Sequence, residues 1–111
     1  MSEIQNRRER LTVLGSTGSI GKNTLDVAAR HPERFEVFAL SASTQVELLL
    51  AQCAQFRPRF AVMVSSTHAY QLRERIAAEG LPTEVLSGPA ALSEVSEHHD
   101  VDAVMAAIVG A

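Results

Sequence analysis

The chain has 111 residues, 46% of them hydrophobic and 21% charged, which is enough for one globular core, too little for two, and incompatible with intrinsic disorder. Ten Lys and Arg against 13 Asp and Glu leave a formal charge of −3, which argues against DNA, RNA or an anionic membrane as partner. The single cysteine, Cys53, can form neither an internal disulfide nor a multi-thiolate metal site, so a reducing compartment, the cytoplasm, is expected.

Residues 1–10 mix Arg7, Arg8 and Arg10 with Glu3 and Glu9 and hold no apolar stretch long enough for a signal peptide or a membrane span, so they are expected to form a flexible leader. Over 11–111, short apolar runs alternate with amphipathic ones, and a single domain with the order β-α-β-α-β-α-β-α-β is predicted. Leu11 to Leu14 is an apolar run stopped by Gly15. A helix beginning near Ser19 carries Leu25, Ala28 and Ala29 at helical spacing and ends at His31-Pro32. Phe35 to Leu40 reads as the second strand. Val46, Leu49, Leu50, Cys53 and Phe56 then mark one face of a helix that stops near Pro58, with Cys53 on the buried side. Phe60 to Val64 is the third strand, and Ser65, Ser66 and Thr67 offer N-caps for a helix through Ala69, Leu72 and Ile76 that Gly80 terminates. Glu84 to Leu86, a Ser87-Gly88-Pro89 turn, a brief helix over Ala90 to Glu97 and an apolar strand over Ala103 to Val109 complete the series.

Strands and helices alternating at this spacing imply parallel pairing through right-handed crossovers, with helices on both faces of a doubly wound, three-layer α/β/α sheet. Ligands of such sheets bind beyond the carboxyl ends of the strands. The turn after the first strand reads Gly15-Ser16-Thr17-Gly18-Ser19-Ile20-Gly21. Glycines three apart let the backbone turn sharply and let a ligand approach closely, while the following helix aims unpaired N–H groups and the positive end of its dipole into the same space. That combination suits a pyrophosphate, and a second strand about twenty residues on completes the arrangement of a dinucleotide-binding unit. A nucleotide-triphosphatase loop is disfavoured, because Ser16 stands where its first glycine is needed and Asn23 replaces the metal-binding hydroxyl after Gly21-Lys22.

Most of the positive charge lies early: residues 1–59 hold eight basic and six acidic side chains, and 60–111 hold two basic and seven acidic. The end of the second strand reads Ser41-Ala42-Ser43-Thr44-Gln45, without the carboxylate that commonly holds an unphosphorylated ribose. A 2′-phosphate would not be repelled there, and Ser43, Thr44 and Gln45 can donate hydrogen bonds to it, so NADPH is expected over NADH. The bland alternative is a polar loop that caps the next helix.

Leu14 to Gly21, continuing through Asn23-Thr24-Leu25-Asp26-Val27, resembles the amino terminus of the 1-deoxy-D-xylulose 5-phosphate reductoisomerase family. Arg57 to Met63, Thr83 to Gly88, and Val101-Asp102 with Val104 to Ala111 reinforce the resemblance, which covers nearly the whole chain after the leader. It implies a Rossmann-like NADPH-binding domain, incomplete on its C-terminal side. It further implies a cytoplasmic, homodimeric oxidoreductase and isomerase of non-mevalonate isoprenoid biosynthesis, which converts 1-deoxy-D-xylulose 5-phosphate to 2-C-methyl-D-erythritol 4-phosphate with magnesium or manganese. The family's cofactor contacts fall on Thr17, Gly18, Ser19 and Ile20 in the first turn and on Ser43, Thr44 and Gln45 after the second strand. Many members have Gly-Lys-Asn at the latter place, so this chain lacks the lysine that pairs naturally with a 2′-phosphate. The family's catalytic, metal-binding and substrate-phosphate residues lie beyond Ala111, so the chain alone is expected to be inactive.

Other candidates fare worse. His98-His99-Asp100 resembles a metal cluster, but neighbours at a helix end are expected to diverge, which favours a solvated turn. His68 sits on the ligand edge, where capping or solvent exposure is favoured over an adenine contact. Lys22 and Asp26 are expected to form a surface pair. A stand-alone nucleotide-binding or receiver-like signalling module is the alternative reading, yet a receiver would need acidic residues gathered at its strand ends, and the first and third strands end in Gly15-Ser16 and Val64-Ser65.

Overall fold

The computed structural model describes residues 8–106. Its elements are β1 (Glu9–Leu14), α1 (Ser19–Arg30), β2 (Phe35–Ala42), α2 (Val46–Phe56), β3 (Phe60–Met63), α3 (Ser66–Ala78), β4 (Glu84–Ser87), α4 (Pro89–Glu97) and β5 (Ala103–Ala106). The expected order is the observed one. β1 starts ahead of the expected Leu11, because the Glu9 N–H donates to the Arg34 carbonyl at 2.8 Å and the Arg10 N–H donates to Asp102 Oδ2 at 2.8 Å. Glu9 and Arg10 therefore belong to the sheet and not to a leader. Residues 1–7, and the part of the last predicted strand past Ala106, lie outside the described residues.

All five strands pair in parallel in the order β4-β3-β2-β1-β5. Three successive crossovers walk the chain from β1 to β4, and the fourth returns it to the far side of β1. Right-handed crossovers then put the first three helices on one face and the fourth on the other. The core is divided accordingly. On one face Leu11, Val13, Val37, Leu40, Ala61 and Met63 pack with Leu25 and Ala28 of α1, Leu49, Leu50 and Cys53 of α2, and Leu72 and Ile76 of α3. On the other, Phe38, Ala39 and Val62 pack with Ala91 and Val95 of α4.

Phe38 and Ala39 are consecutive yet share the α4 face. The β1–β2 register slips between Leu11, opposite Val37, and Thr12, opposite Ala39, so Phe38 is the extra residue of a bulge. The slip restores the alternation that turns Leu40 and Ala42 toward the larger core. On β1, fully buried Thr12 faces α4 and donates its hydroxyl to the Val95 carbonyl at 2.8 Å, satisfying an acceptor in the last turn of that helix.

Local signals set the helix ends. Ser65 caps α3, its hydroxyl accepting the His68 N–H at 3.4 Å. Gly80, at φ +67°, closes the helix with its own N–H on Ala77 O and that of Leu81 on Ile76 O, each at 3.1 Å. β4 and β5 form the sheet edges. Along β4 the Arg73 guanidinium reaches over from α3 to donate to Val85 O at 3.0 Å, while on β5 Val104 and Met105 are exposed.

Candidate functional site

The glycine turn leaves β1 at the carboxyl edge of the sheet, next to the position where the crossover direction reverses between β1 and β5. Gly15 has φ +69°, a left-handed conformation that side chains disfavour. Its N–H donates to Ser41 Oγ at 2.9 Å, and the next N–H, of Ser16, donates to Ser41 O at 2.8 Å, so β2 holds the start of the turn. Gly18 N–H closes the turn on Gly15 O at 3.1 Å.

The two later glycines are there for different reasons. A Cβ on Gly21 would lie 2.4 Å from Gly15 O and 2.6 Å from Ser16 Cα, so the first turn of α1 packs directly on the backbone of the loop. A Cβ on Gly18 would meet only Gly15 O, at an ordinary 3.5 Å, and Gly18 has φ −82° and ψ 175°, open to any residue. Among the described residues nothing requires glycine at position 18. Gly18 is also the N-cap of α1 and provides no side-chain cap, and the helical ladder begins with Lys22 N–H on Gly18 O at 2.9 Å. The N–H groups of Ser19 and Ile20 are therefore left at the positive end of the helix.

Of the predicted residues, Thr17 is half-buried, whereas Gly18, Ser19 and Ile20 are exposed in the first turn and Ser43, Thr44 and Gln45 are exposed after β2. A crevice of about 180 Å³ joins the two segments, lined by Leu14 and Gly15 from β1, by Ser41, Ala42 and Ser43 from β2, by Val64 after β3 and by Leu92 of α4. Ser43 is the one predicted residue that lines it. Gln45 is the N-cap of α2 but makes no side-chain capping hydrogen bond, so helix capping does not account for its amide. Larger cavities occur elsewhere, such as one of about 540 Å³ along β4, but none of these lies at the glycine turn.

Sequence reasoning missed what holds the turn. Ser16, with no exposed surface, donates its hydroxyl to Gln52 Oε1 at 2.7 Å, and Gln52 Nε2 donates back to Ser16 O at 2.9 Å. The available signal was a polar residue one position from Cys53 on the apolar face of α2.

Three side readings change. His98 and His99 do not diverge: their rings stack at 4.6 Å, because His98 leaves α4 in an extended conformation. His98 is half-buried against Phe38, at 4.9 Å, rather than solvated. The ligand atoms of His98, His99 and Asp100 lie within 4.8 Å of one another, yet Asp100 already meets Arg59 at 3.3 Å and Arg10 at 3.9 Å, and His98 Nδ1 accepts the Asp100 N–H at 3.0 Å. Two guanidinium groups oppose a cation there, and the cluster lies at the amino edge of the sheet, away from the glycine turn. Asp26 pairs with Arg30 at 2.8 Å instead of with Lys22. His68 takes the capping role, its Nδ1 lying 2.8 Å from Ser65 Oγ. Cys53 is buried as expected, and burial pushes its thiol up to about 12, opposed by the Thr83 hydroxyl.

The family model for 1-deoxy-D-xylulose 5-phosphate reductoisomerase matches residues 11–111. The chain is 63% identical over 105 residues to the protein of that name from Aromatoleum aromaticum, covering 95% of this chain and 26% of the relative. It is 57% identical over 102 residues to the one from Ralstonia nicotianae, covering 92% and 26%. Among solved structures, a DOX-P reductoisomerase in complex with magnesium superposes with a TM-score of 0.89 at 39% identity, over 95% of this chain and 26% of that one. One in complex with NADPH, fosmidomycin and magnesium superposes with 0.87 at 39% identity, over 92% and 25%. The Zymomonas mobilis enzyme in complex with NADPH gives 0.86 at 36% identity, over 94% and 27%. The chain thus spans about a quarter of the length of the relatives it matches. By family model, sequence and fold together, it belongs to the 1-deoxy-D-xylulose 5-phosphate reductoisomerase family.

Proposed function

We propose that this chain is the NADPH-binding part of a reductoisomerase that converts 1-deoxy-D-xylulose 5-phosphate to 2-C-methyl-D-erythritol 4-phosphate. The observation that carries this reading is Gly18: a glycine with unstrained dihedrals and room for a Cβ at one ordinary contact, at an uncapped helix N-terminus, leaves space for something outside the chain. A diphosphate fits that space, because the Ser19 and Ile20 N–H groups supply donors and the helix dipole supplies about half a positive charge without any basic cluster. Thr17 flanks the same approach. Ser43, Thr44 and Gln45 hold the 2′-phosphate by hydrogen bonds alone, with no carboxylate from Ser41 to Gln45 to oppose it. Solved relatives in complex with NADPH, at 36% and 39% identity, support the assignment.

When bound, NADPH supplies the hydride for the reduction. This chain's residues bind and orient the coenzyme, and the metal ligands, the substrate-phosphate residues and the second subunit of a cytoplasmic homodimer belong to the remainder of the enzyme. Residues 11–111 constitute the coenzyme domain, and the chain alone does not turn over substrate. Among the described residues no helix is long and apolar enough to cross a membrane, and the net charge of −3 gives nucleic acid no attraction. Titrating the chain with NADPH and with NADH, following nicotinamide fluorescence, tests the reading. Weak binding with a preference for NADPH is expected, lost in Gly18→Val. Absent binding, or equal affinity for the two coenzymes, would overturn the roles of Gly18 or of Ser43, Thr44 and Gln45 respectively.

A further inference from the structure

We infer that Gln52 is a positioning residue for coenzyme binding, fixing the glycine turn from α2 through two hydrogen bonds to Ser16; this rests on the coenzyme reading above. The hydroxyl proton of Ser16 has two acceptors in reach, Gln52 Oε1 at 2.7 Å and Ser41 O at 3.3 Å, and the shorter contact takes it. Gln52 Nε2 then donates to Ser16 O at 2.9 Å. The two contacts fix the orientation of the amide, and they require a side chain that accepts and donates at once at this reach, which Glu, Met and Lys do not.

The turn is held from two independent elements. Ser41 of β2 takes the Gly15 and Ser16 N–H groups, which extends the sheet pairing by one step. Beyond Ser16 the turn closes on itself, the Gly18 N–H meeting Gly15 O at 3.1 Å. Gln52 adds a hold from outside the turn, on the Ser16 carbonyl, and so helps to set where the backbone of Thr17 and Gly18 lies relative to the start of α1. Preorganised donors bind an anion without first being ordered, so holding this peptide raises affinity without any contact between Gln52 and the ligand.

The burial of α2 does not rest on the amide. Leu49, Leu50 and Cys53 bury α2 in the core, while Gln52 is half-buried and borders an open groove of about 210 Å³ with Lys22 and Leu25 of α1. Gln52→Met keeps the length of the side chain and loses both hydrogen bonds, and Gln52→Ala opens the groove further.

The test uses the whole 111-residue chain and both variants, with circular dichroism to confirm folding. Two ligands are titrated by NMR: NADPH, which carries the diphosphate, and adenosine 2′-monophosphate, which lacks it. For Gln52→Met, NADPH affinity falls about tenfold, as the loss of hydrogen bonds to one residue implies, while affinity for adenosine 2′-monophosphate is unchanged. In the ligand-free variant, amide exchange at Ser16 and Gly18 rises about tenfold while that of α3 stays at the parent level. Equal losses for both ligands would mark a merely structural role and overturn the inference, as would parent-like NADPH affinity in both variants. A parent chain that bound no NADPH would refute the coenzyme reading and this inference with it, whereas parent-like NADPH affinity in Gln52→Met refutes the inference alone.

Discussion

Gly21→Ala places a methyl group where the backbone of the loop already runs. Its Cβ would lie 2.4 Å from Gly15 O, 2.6 Å from Ser16 Cα and 2.9 Å from Ser16 C, against ordinary contacts of 3.4–4 Å. The start of α1 would have to retreat by about 1 Å from a turn that Ser41 and Gln52 hold in place. Overpacking of this kind costs roughly 1–3 kcal/mol, and the upper end applies because the clashing atoms are main chain rather than flexible side chain. At about 5 °C per kcal/mol for a domain of this size, the midpoint of thermal unfolding falls by about 15 °C. Gly18→Ala is the matched control. Its Cβ makes one ordinary contact, and the loss of chain freedom in the unfolded state roughly offsets the poorer N-cap, so its stability stays within about 1 kcal/mol of the parent. The ligand response should be the reverse: Gly18→Ala narrows the coenzyme approach and weakens NADPH while the fold persists. Circular dichroism melts and NADPH titration on the same preparations read both quantities. A Gly21→Ala midpoint within about 2 °C of the parent, or a Gly18→Ala midpoint depressed as far as that of Gly21→Ala, would refute the division of labour between the two glycines.

Thr12→Val strands the Val95 carbonyl in a buried site and should cost about 1–2 kcal/mol in urea unfolding, with an unchanged slope if the fold is intact. Leu49→Ala, on a side chain with no exposed surface, should cost about 2–5 kcal/mol by the same measurement. Cys53 should resist iodoacetamide in the native chain and react only on unfolding, since burial raises its thiol from 9.0 to about 12. Because the unfolded thiol releases its proton at lower pH than the folded one, its contribution to stability is complete below about pH 9 and is lost as the pH rises toward about 12. Cys53→Ala should therefore show a shallower alkaline loss of stability than the parent. Arg73→Ala uncovers Val85 O on the β4 edge, and light scattering should show faster self-association than in the parent.

The succession of strands and helices could be read from the sequence because parallel strands buried on both faces are short apolar runs, and each helix between them is punctuated by Pro, Gly or Ser. The ligand edge could be read from the glycine turn. The division of the helices, three on one face and one on the other, follows from strand order, which Phe60 to Met63 or Glu84 to Ser87 do not encode locally. The bulge was hidden because Phe38 and Ala39 extend an apolar run whose composition is the same whether or not the register slips. Gln52 escaped notice because its partner is Ser16, 36 residues earlier, and such a pair becomes visible only once α2 is laid beside the turn. His98 looked solvated because nothing near it in sequence announces that Phe38 and Phe60 will cover it.

The extra residue in β2 separates two lengths that a regular ladder would tie together. Glu9 to Leu11 pair with Phe35 to Val37 before the slip, and Ala39 to Ala42 keep their partners on β3 after it. The slip absorbs the extra residue upstream of the tip, so Ser41 still receives the Gly15 amide although β2 is one residue longer than its partner over the paired stretch.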